Sequence, residues 1–309
     1  PSENGKAAFR RKGIEINMDQ AQNLRNIIKA NGQPTRPLAR VITVTSGKGG
    51  VGKSNTAINL AIQLKRLGQK VIILDADFGL ANIEIMFGTI PKYNLCDLIY
   101  QGKSIRDIIT WGPEEIGFIS GGSGITGMAN LSRDYLTYII QNLAELDAIA
   151  DVIIVDTGAG ISDAVMEFLV ASGEILLVAT PEPTSITDSY SLLKALSRHA
   201  RYRQEDTKIK VIANRVLDED DGMALFQKLN VVVELYLKLP MTYLGAIPQD
   251  SLLSNAVMQQ MPVSIQHPSA KSALAYQKMA AALMNMEING QVKKRGMAAF
   301  FSHIISGKK

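Results

Sequence analysis

The sequence predicts an α/β fold: a mostly parallel, doubly wound sheet covered on both faces by helices. Apolar runs of strand length alternate along the chain with amphipathic patterns of helical length, which sets parallel strands side by side with helices as their crossovers. The runs Val71-Ile72-Ile73-Leu74 and Val152-Ile153-Ile154-Val155 show no polar alternation, as strands covered on two sides require. A third run, Val41-Ile42-Thr43-Val44-Thr45, leads into Gly47-Lys48-Gly49-Gly50-Val51-Gly52-Lys53-Ser54 and then into a helical pattern from Asn55 to Leu67. Strand, glycine-rich loop and helix, in that order, turn the spacing G-x-x-x-x-G-K-[ST] into a P-loop.

Taken in order, residues 1–17 are polar, basic and aperiodic and begin without methionine; they read as an added or disordered leader. Residues 18–32 read as a short helix. Asn17 and Gln20 can form a capping box, Ala21, Leu24, Ile27 and Ile28 fall at helical spacing, and Gly32 closes the end. Residues 33–40, with Pro34 and Pro37, read as an extended linker. The main domain is 41–292. Its first helix presents Ala57, Leu60, Ala61, Leu64 and Leu67 on one face and stops at Gly68. Seven strands are expected, at 41–45, 71–74, 116–119, 152–156, 174–180, 208–214 and 244–247. Further helices are expected at 94–101, 105–110, 132–146, 162–171, 186–200, 222–237 and 269–286. Residues 293–309 form a tail.

Composition narrows the function. Cys96 is the one cysteine in 309 residues, which excludes an internal disulfide framework and any metal site built on paired cysteines. No apolar run is long enough to span a bilayer. The net charge of +4 is unevenly spread: 293–309 carry +5 and 1–17 carry +2, which leaves −3 on 18–292. A mildly acidic body argues against a broad nucleic-acid-binding face. The cytoplasm is the expected compartment.

The chemistry gathers at strand ends. In a P-loop the backbone N–H groups of Gly47, Lys48, Gly49, Gly50, Val51, Gly52, Lys53, Ser54 and Asn55 surround a phosphate chain at a helix N-terminus. Lys53 is placed to reach the β- and γ-phosphates and the Ser54 hydroxyl to hold Mg²⁺. Asp156 ends an apolar strand and reads as the second, Walker B-like carboxylate near the metal. The glycine-rich Asp156-Thr157-Gly158-Ala159-Gly160 loop can then sense a γ-phosphate. Asp75 and Asp77 end the neighbouring strand, where a carboxylate can bind metal, cap a helix or position water. Lys48 is a second loop lysine that an ordinary P-loop does not need. In the tail, Met297, Phe300, Phe301, Ile304 and Ile305 fall on one helical face between Lys293, Lys294 and Arg295 on one side and Lys308 and Lys309 on the other. That pattern reads either as an interfacial helix on an anionic membrane or as a C-terminal helix docked on the core.

The string Lys48-Gly49-Gly50-Val51-Gly52-Lys53-Ser54 resembles the deviant P-loop of the MinD/ParA family of dimerising ATPases. The resemblance implies a MinD-like P-loop NTPase fold, ATP and ADP with Mg²⁺ as ligands, and a homodimer in which Lys48 reaches the partner's nucleotide. It makes Lys48, Lys53, Asp77 and Asp156 the catalytic set. Asp77-Phe78-Gly79-Leu80-Ala81-Asn82 resembles that family's switch I, which implies that Asp77 orients the hydrolytic water and puts Asp75 near the Mg²⁺ shell with Ser54 and Asp156. Asn214-Arg215 resembles the adenine-reading position, and Ile247-Pro248-Gln249-Asp250 the loop that closes the base pocket; with no N-K-x-D string, ATP is favoured over GTP. The tail resembles the family's membrane-targeting helix. Two such tails on a dimer bind with avidity, reversibly and on the inner face of the cytoplasmic membrane.

At the other end, Asp19-Gln20-Ala21-Gln22-Asn23-Leu24-Arg25 resembles the N-terminal activating element of the flagellar regulators called FlhG, FleN or YlxH. That resemblance implies contact of Asp19, Gln20, Ala21, Leu24 and Arg25 with the signal-recognition-particle-type GTPase FlhF, stimulation of its GTP hydrolysis, and C-ring partners such as FliM and FliN or FliY. The alternative within the same fold is a MinD- or ParA-type organiser of division or DNA partition. The activating string speaks against the first, the acidic body against the second. A metal-cluster carrier of the superfamily would need paired cysteines.

Overall fold

The computed structural model describes residues 38–77, 82–121, 142–290 and 294–306, with the side chains of Ile99, Ile305 and Ser306 excepted. The leader, the 18–32 helix with its predicted partner residues, most of the linker, Phe78–Ala81, most of the 132–146 helix, Lys293, Lys308 and Lys309 lie outside the described residues.

Eight strands form one sheet: β1 (Arg40–Thr45), β2 (Val71–Ala76), β3 (Thr110–Trp111), β4 (Gly117–Ile119), β5 (Val152–Thr157), β6 (Glu174–Ala179), β7 (Lys208–Val216) and β8 (Met241–Pro248). Their order is β3-β4-β2-β5-β1-β6-β7-β8. Every pairing is parallel except β3 with β4. The expected count was seven; the additional strand is the two-residue β3, which falls where a helix end was expected. A two-residue edge pairing is too short to leave a period in the sequence.

The helices among the described residues are α1 (Lys53–Arg66), α2 (Asn82–Phe87), α3 (Leu95–Gln101), α4 (Ile105–Ile108), α5 (Asp163–Ala171), α6 (Pro183–Arg198), α7 (Glu219–Leu237), α8 (Ser251–Met258), α9 (Val263–Gln266), α10 (Lys271–Ile288) and α11 (Gly296–Ser306). Alternate strand residues feed opposite cores, as the pleat dictates. Val152 and Ile154 join α1, α8, α9 and α10 in one layer. Ile153 and Val155 face the other layer, where α3, α4, α5 and α11 pack. Farther along the same side, α6 and α7 cover β6 and β7. The doubly covered sheet is the architecture expected. The compact unit begins at Leu38 rather than Val41 and takes in the tail helix.

One polar feature at the N-terminal edge of the sheet left no mark in the sequence. Arg40, only 1% exposed, makes a bidentate pair with Glu174, with Nε to Oε2 at 2.9 Å and Nη2 to Oε1 at 2.7 Å. Its Nη1 donates to the Leu283 carbonyl at 2.8 Å and to Glu287 at 3.2 Å. Lys210 donates to the same Glu174 carboxylate. Burial alone would raise the Glu174 pKa, but the two cations hold it below its ordinary value.

Candidate functional site

The sheet delivers its chemistry at the C-terminal ends of three adjacent strands, β1, β5 and β2. Residues 46–52 carry the chain from β1 into α1, which starts at Lys53. Gly52 caps α1 with φ +97°, and no side chain occupies the first amides of the helix. Free donors and the helix dipole make this an anion site. A Cβ at Gly52 would come within 2.4 Å of the Asn214 Nδ2, so the loop and the end of β7 meet through glycine. Gly47, Gly49, Gly50 and Val51 form the body of the loop, and Asn55 lies in the first turn of α1, its carbonyl accepting from Asn59 at 2.8 Å.

Lys53 is buried. Desolvation lowers its pKa, opposed by the charges of Asp156 and Asp77, the two carboxylates predicted to share its site. Asp156 is fully buried, and neither of its oxygens accepts a well-formed hydrogen bond. Burial raises its pKa to about 7 against the pull of Ser54 and Lys53 beside it. A buried carboxylate with unfilled acceptor sites next to a serine hydroxyl fits a hard divalent cation. Among the described residues no group of three His, Cys, Asp or Glu side chains makes a self-sufficient metal cage. Were Ser54 and Asp156 its protein ligands, most positions would be left for water and phosphate oxygens, which is how Mg²⁺ is usually held.

Asp75 stands directly across from Asp156 in the β2–β5 ladder. Its Oδ1 accepts from the Asp77 N–H at 3.1 Å and its Oδ2 from the Ile83 N–H at 3.4 Å, so it ties down the turn that carries Asp77. Burial, and then the Asp156 charge, push its pKa up to about 8. Asp77 Oδ2 accepts from Asn82 Nδ2 at 3.3 Å, while Asp77 Oδ1 lies 3.5 Å from where a Cβ on Gly158 would stand. The two candidate switch loops therefore meet at Asp77. The second loop is pinned at both ends: Thr157 Oγ1 donates to the Val44 carbonyl at 3.1 Å and the Gly160 N–H to the Ser46 carbonyl at 3.0 Å.

Lys48 points away from its own loop. Its Nζ lies 2.5 Å from Glu182 Oε2 and 2.9 Å from Thr184 Oγ1, at the start of α6. Sequence reasoning did not single out these two partners. The signal was available: Pro181-Glu182-Pro183-Thr184 follows β6 at the strand end where this fold places its chemistry.

A cleft of about 510 Å³ opens beside the loop, lined by Thr180, Pro181, Glu182, Arg215, Gln249 and Ser254. Of the predicted base-pocket residues, Arg215 lines it. Asn214 is buried behind the loop, and Pro248 ends β8. Asp250 is committed elsewhere: Oδ1 accepts from the Leu252 N–H at 2.9 Å, capping α8, and Oδ2 accepts from the Ser272 N–H at 3.0 Å and its hydroxyl at 2.8 Å. Gln249, within the loop expected to close the base pocket, lines the cleft, and so does Ser254, which was not anticipated.

The tail helix α11 is docked. Met297, Phe300, Phe301 and Ile304, four of the five residues read as lipid-facing, are at most 6% exposed. Phe168 of α5 stacks on Phe300 with centroids 6.0 Å apart and meets Phe301 edge-on at 6.4 Å. Polar groups of the body hold both ends of the helix. The Met297 N–H donates to Asp147 Oδ1 at 2.8 Å, and Arg201 Nη1 donates to the His303 carbonyl at 2.6 Å. Lys294 pairs with Glu287 at 2.7 Å and Arg295 with Asp206 at 2.6 Å.

Residues 38–284 match the ParA family model, described as NUBPL iron-transfer P-loop NTPase. The chain is 40% identical over 241 residues to the antiactivator FleN of Pseudomonas aeruginosa, covering 78% of this chain and 85% of that protein. It is 32% identical over 270 residues to the flagellum site-determining protein YlxH of Helicobacter pylori, covering 86% and 90%. Among solved structures it resembles the septum site-determining protein MinD of Pyrococcus horikoshii in complex with Mg-ADP, with TM-score 0.62 at 23% identity over 81% of this chain and 98% of that one. The MinC:MinD complex of Aquifex aeolicus matches with TM-score 0.63, also at 23% identity, over 80% and 96%.

Proposed function

Because this chain belongs to the ParA/MinD family of P-loop ATPases, on the branch of FleN and YlxH, we propose that it is an ATP-driven dimer switch that regulates flagellar number and placement from the membrane surface. The observation that carries the reading is the buried Asp156 carboxylate, whose oxygens accept no well-formed hydrogen bond although Lys53 and Ser54 stand beside it. The loop amides and Lys53 bind the phosphates. Ser54 and Asp156 would hold Mg²⁺, which neutralises phosphate charge when bound. Asp77, steadied by Asp75 and Asn82, orients the attacking water, and the 156–160 loop beside it registers the γ-phosphate.

Lys48 is the group that makes the dimer depend on ATP. In one molecule it rests on Glu182 and Thr184; in the dimer it turns to the partner's phosphates. Dimerisation releases α11 from the body, and two paired tails bind anionic lipid with avidity. The 18–32 segment engages the FlhF GTPase through Gln20 and stimulates its hydrolysis, and FliM and FliN or FliY are the further partners. Sizing with ATP and with ADP, in the presence and absence of anionic vesicles, tests the reading. Wild-type protein is expected to dimerise and pellet with vesicles only with ATP, and Lys48→Ala to stay monomeric. A Lys48→Ala protein that dimerised like wild type would sink the assignment.

A further inference from the structure

The end of β7 carries a device that the base-pocket reading does not use. Between Asn214 and Val216 the β7–β8 register slips by one residue, so Arg215 is an inserted bulge residue. Its φ is +59°, in the left-handed region that non-glycine residues seldom occupy. Bulges of this kind bend a strand and re-aim one side chain. Here the Arg215 Nη2 donates to the Gly50 carbonyl at 2.8 Å. The preceding residue, Asn214, is buried; its Nδ2 donates to the Val51 carbonyl at 2.7 Å and its Oδ1 accepts from the Arg215 N–H at 2.9 Å.

Two consecutive P-loop carbonyls are thus held from outside by two consecutive side chains. Both peptide bonds are trans. In a planar trans peptide the C=O and the following N–H point in opposite directions. Fixing the Gly50 carbonyl toward Arg215 aims the Val51 N–H the other way, and fixing the Val51 carbonyl toward Asn214 does the same for the Gly52 N–H. Among the described residues neither N–H donates to another group.

We infer that Asn214 and Arg215 are positioning residues that lock the peptide planes of the P-loop, so that the Val51 and Gly52 N–H groups face the diphosphate part of a bound nucleotide before it arrives. The inference rests on the nucleotide reading of the site and adds a role to it. Pre-aimed donors need no reorganisation on binding. Because Arg215 also lines the cleft, one residue contacts both the loop and the space beside it.

The test is Arg215→Gly, which keeps the left-handed backbone and removes the guanidinium, with Arg215→Lys as the conservative partner. ADP and AMP are titrated calorimetrically, and the amide ¹H and ¹⁵N shifts of Val51 and Gly52 are followed. Arg215→Gly is expected to weaken ADP about tenfold, the effect of one charge-assisted hydrogen bond, and AMP less than twofold. It should also shrink the ADP-induced shift at Val51, and Arg215→Lys should recover most of the loss. Equal weakening of AMP and ADP would make Arg215 a base or ribose contact and overturn the lock. Unchanged ADP binding with an unchanged Val51 shift would overturn it too while leaving the nucleotide site standing. Wild-type protein that bound no ADP would overturn both.

Discussion

Asp75 and Asp156 keep their protons in the folded protein at pH values where the unfolded chain has lost them. With folded pKa values of about 8 and about 7, the native state binds more protons than the unfolded state from roughly pH 4 upward. Stability of the nucleotide-free protein therefore falls as pH rises through that window and levels off above pH 8. Thermal unfolding between pH 5 and pH 9 should show the decline, and Asp75→Asn should make it shallower, leaving the part that Asp156 contributes; the same slope in the variant would rule Asp75 out as a source. Arg40 makes a second case. Removing Glu174 leaves the buried Lys210 without its counter-charge and Arg40 with only the half-buried Glu287, so Glu174→Ala should cost about 3–5 kcal/mol. Denaturant unfolding measures it, and a loss under 1 kcal/mol would mean that water reaches the pair. Asp156, Lys53 and Ser54 were legible because their spacing and strand-end position are local. The Arg40–Glu174 pair was not, since its members lie 134 positions apart and only the β1–β6 neighbourhood joins them.

Among the elements, the strands and long helices follow their apolar periods closely, and α1 begins where the P-loop spacing puts it. The short pieces α2, α8 and α9 carry too few turns to show a period. Asp250 reads as a pocket residue from its loop; its role as the cap of α8 shows only in the Leu252 donor, because a loop and a helix cap share the same composition. The tail exposes a limit of patterning, because one apolar face serves a lipid surface or a protein groove equally well. Phe301→Glu would disturb both partners at once. Phe168→Ala separates them: it removes the aromatic floor of the groove and leaves the tail unchanged. Truncating a buried Phe costs about 3–5 kcal/mol, part of it from the docked state of α11. Phe168→Ala protein should therefore bind anionic vesicles without ATP at least tenfold better than wild type in a sedimentation assay. Binding that stayed fully ATP-dependent would show that the groove does not restrain the tail.

At the scale of the molecule, the residues proposed to hold Mg²⁺ and phosphate sit at one edge of the sheet, while Arg40, Glu174 and the start of α11 sit at the other. Helix α5 runs between them: its cap Ser162 closes the Asp156–Gly160 loop, and Phe168 lies under the tail. Nine helical residues make a rod of about 13 Å, short enough to move as one piece. The docked helix covers four apolar side chains, each worth about 1.5–3 kcal/mol when fully buried. A tail that left its groove in water would expose both its own face and the floor beneath it, and nucleotide binding at the far edge would have to offset that whole exposure. In the proposed membrane-bound state the acyl boundary would take up the freed face. Under the proposed switch the arrangement would act as a coincidence gate, opened most fully where ATP-driven pairing and a nearby bilayer overlap in space and time.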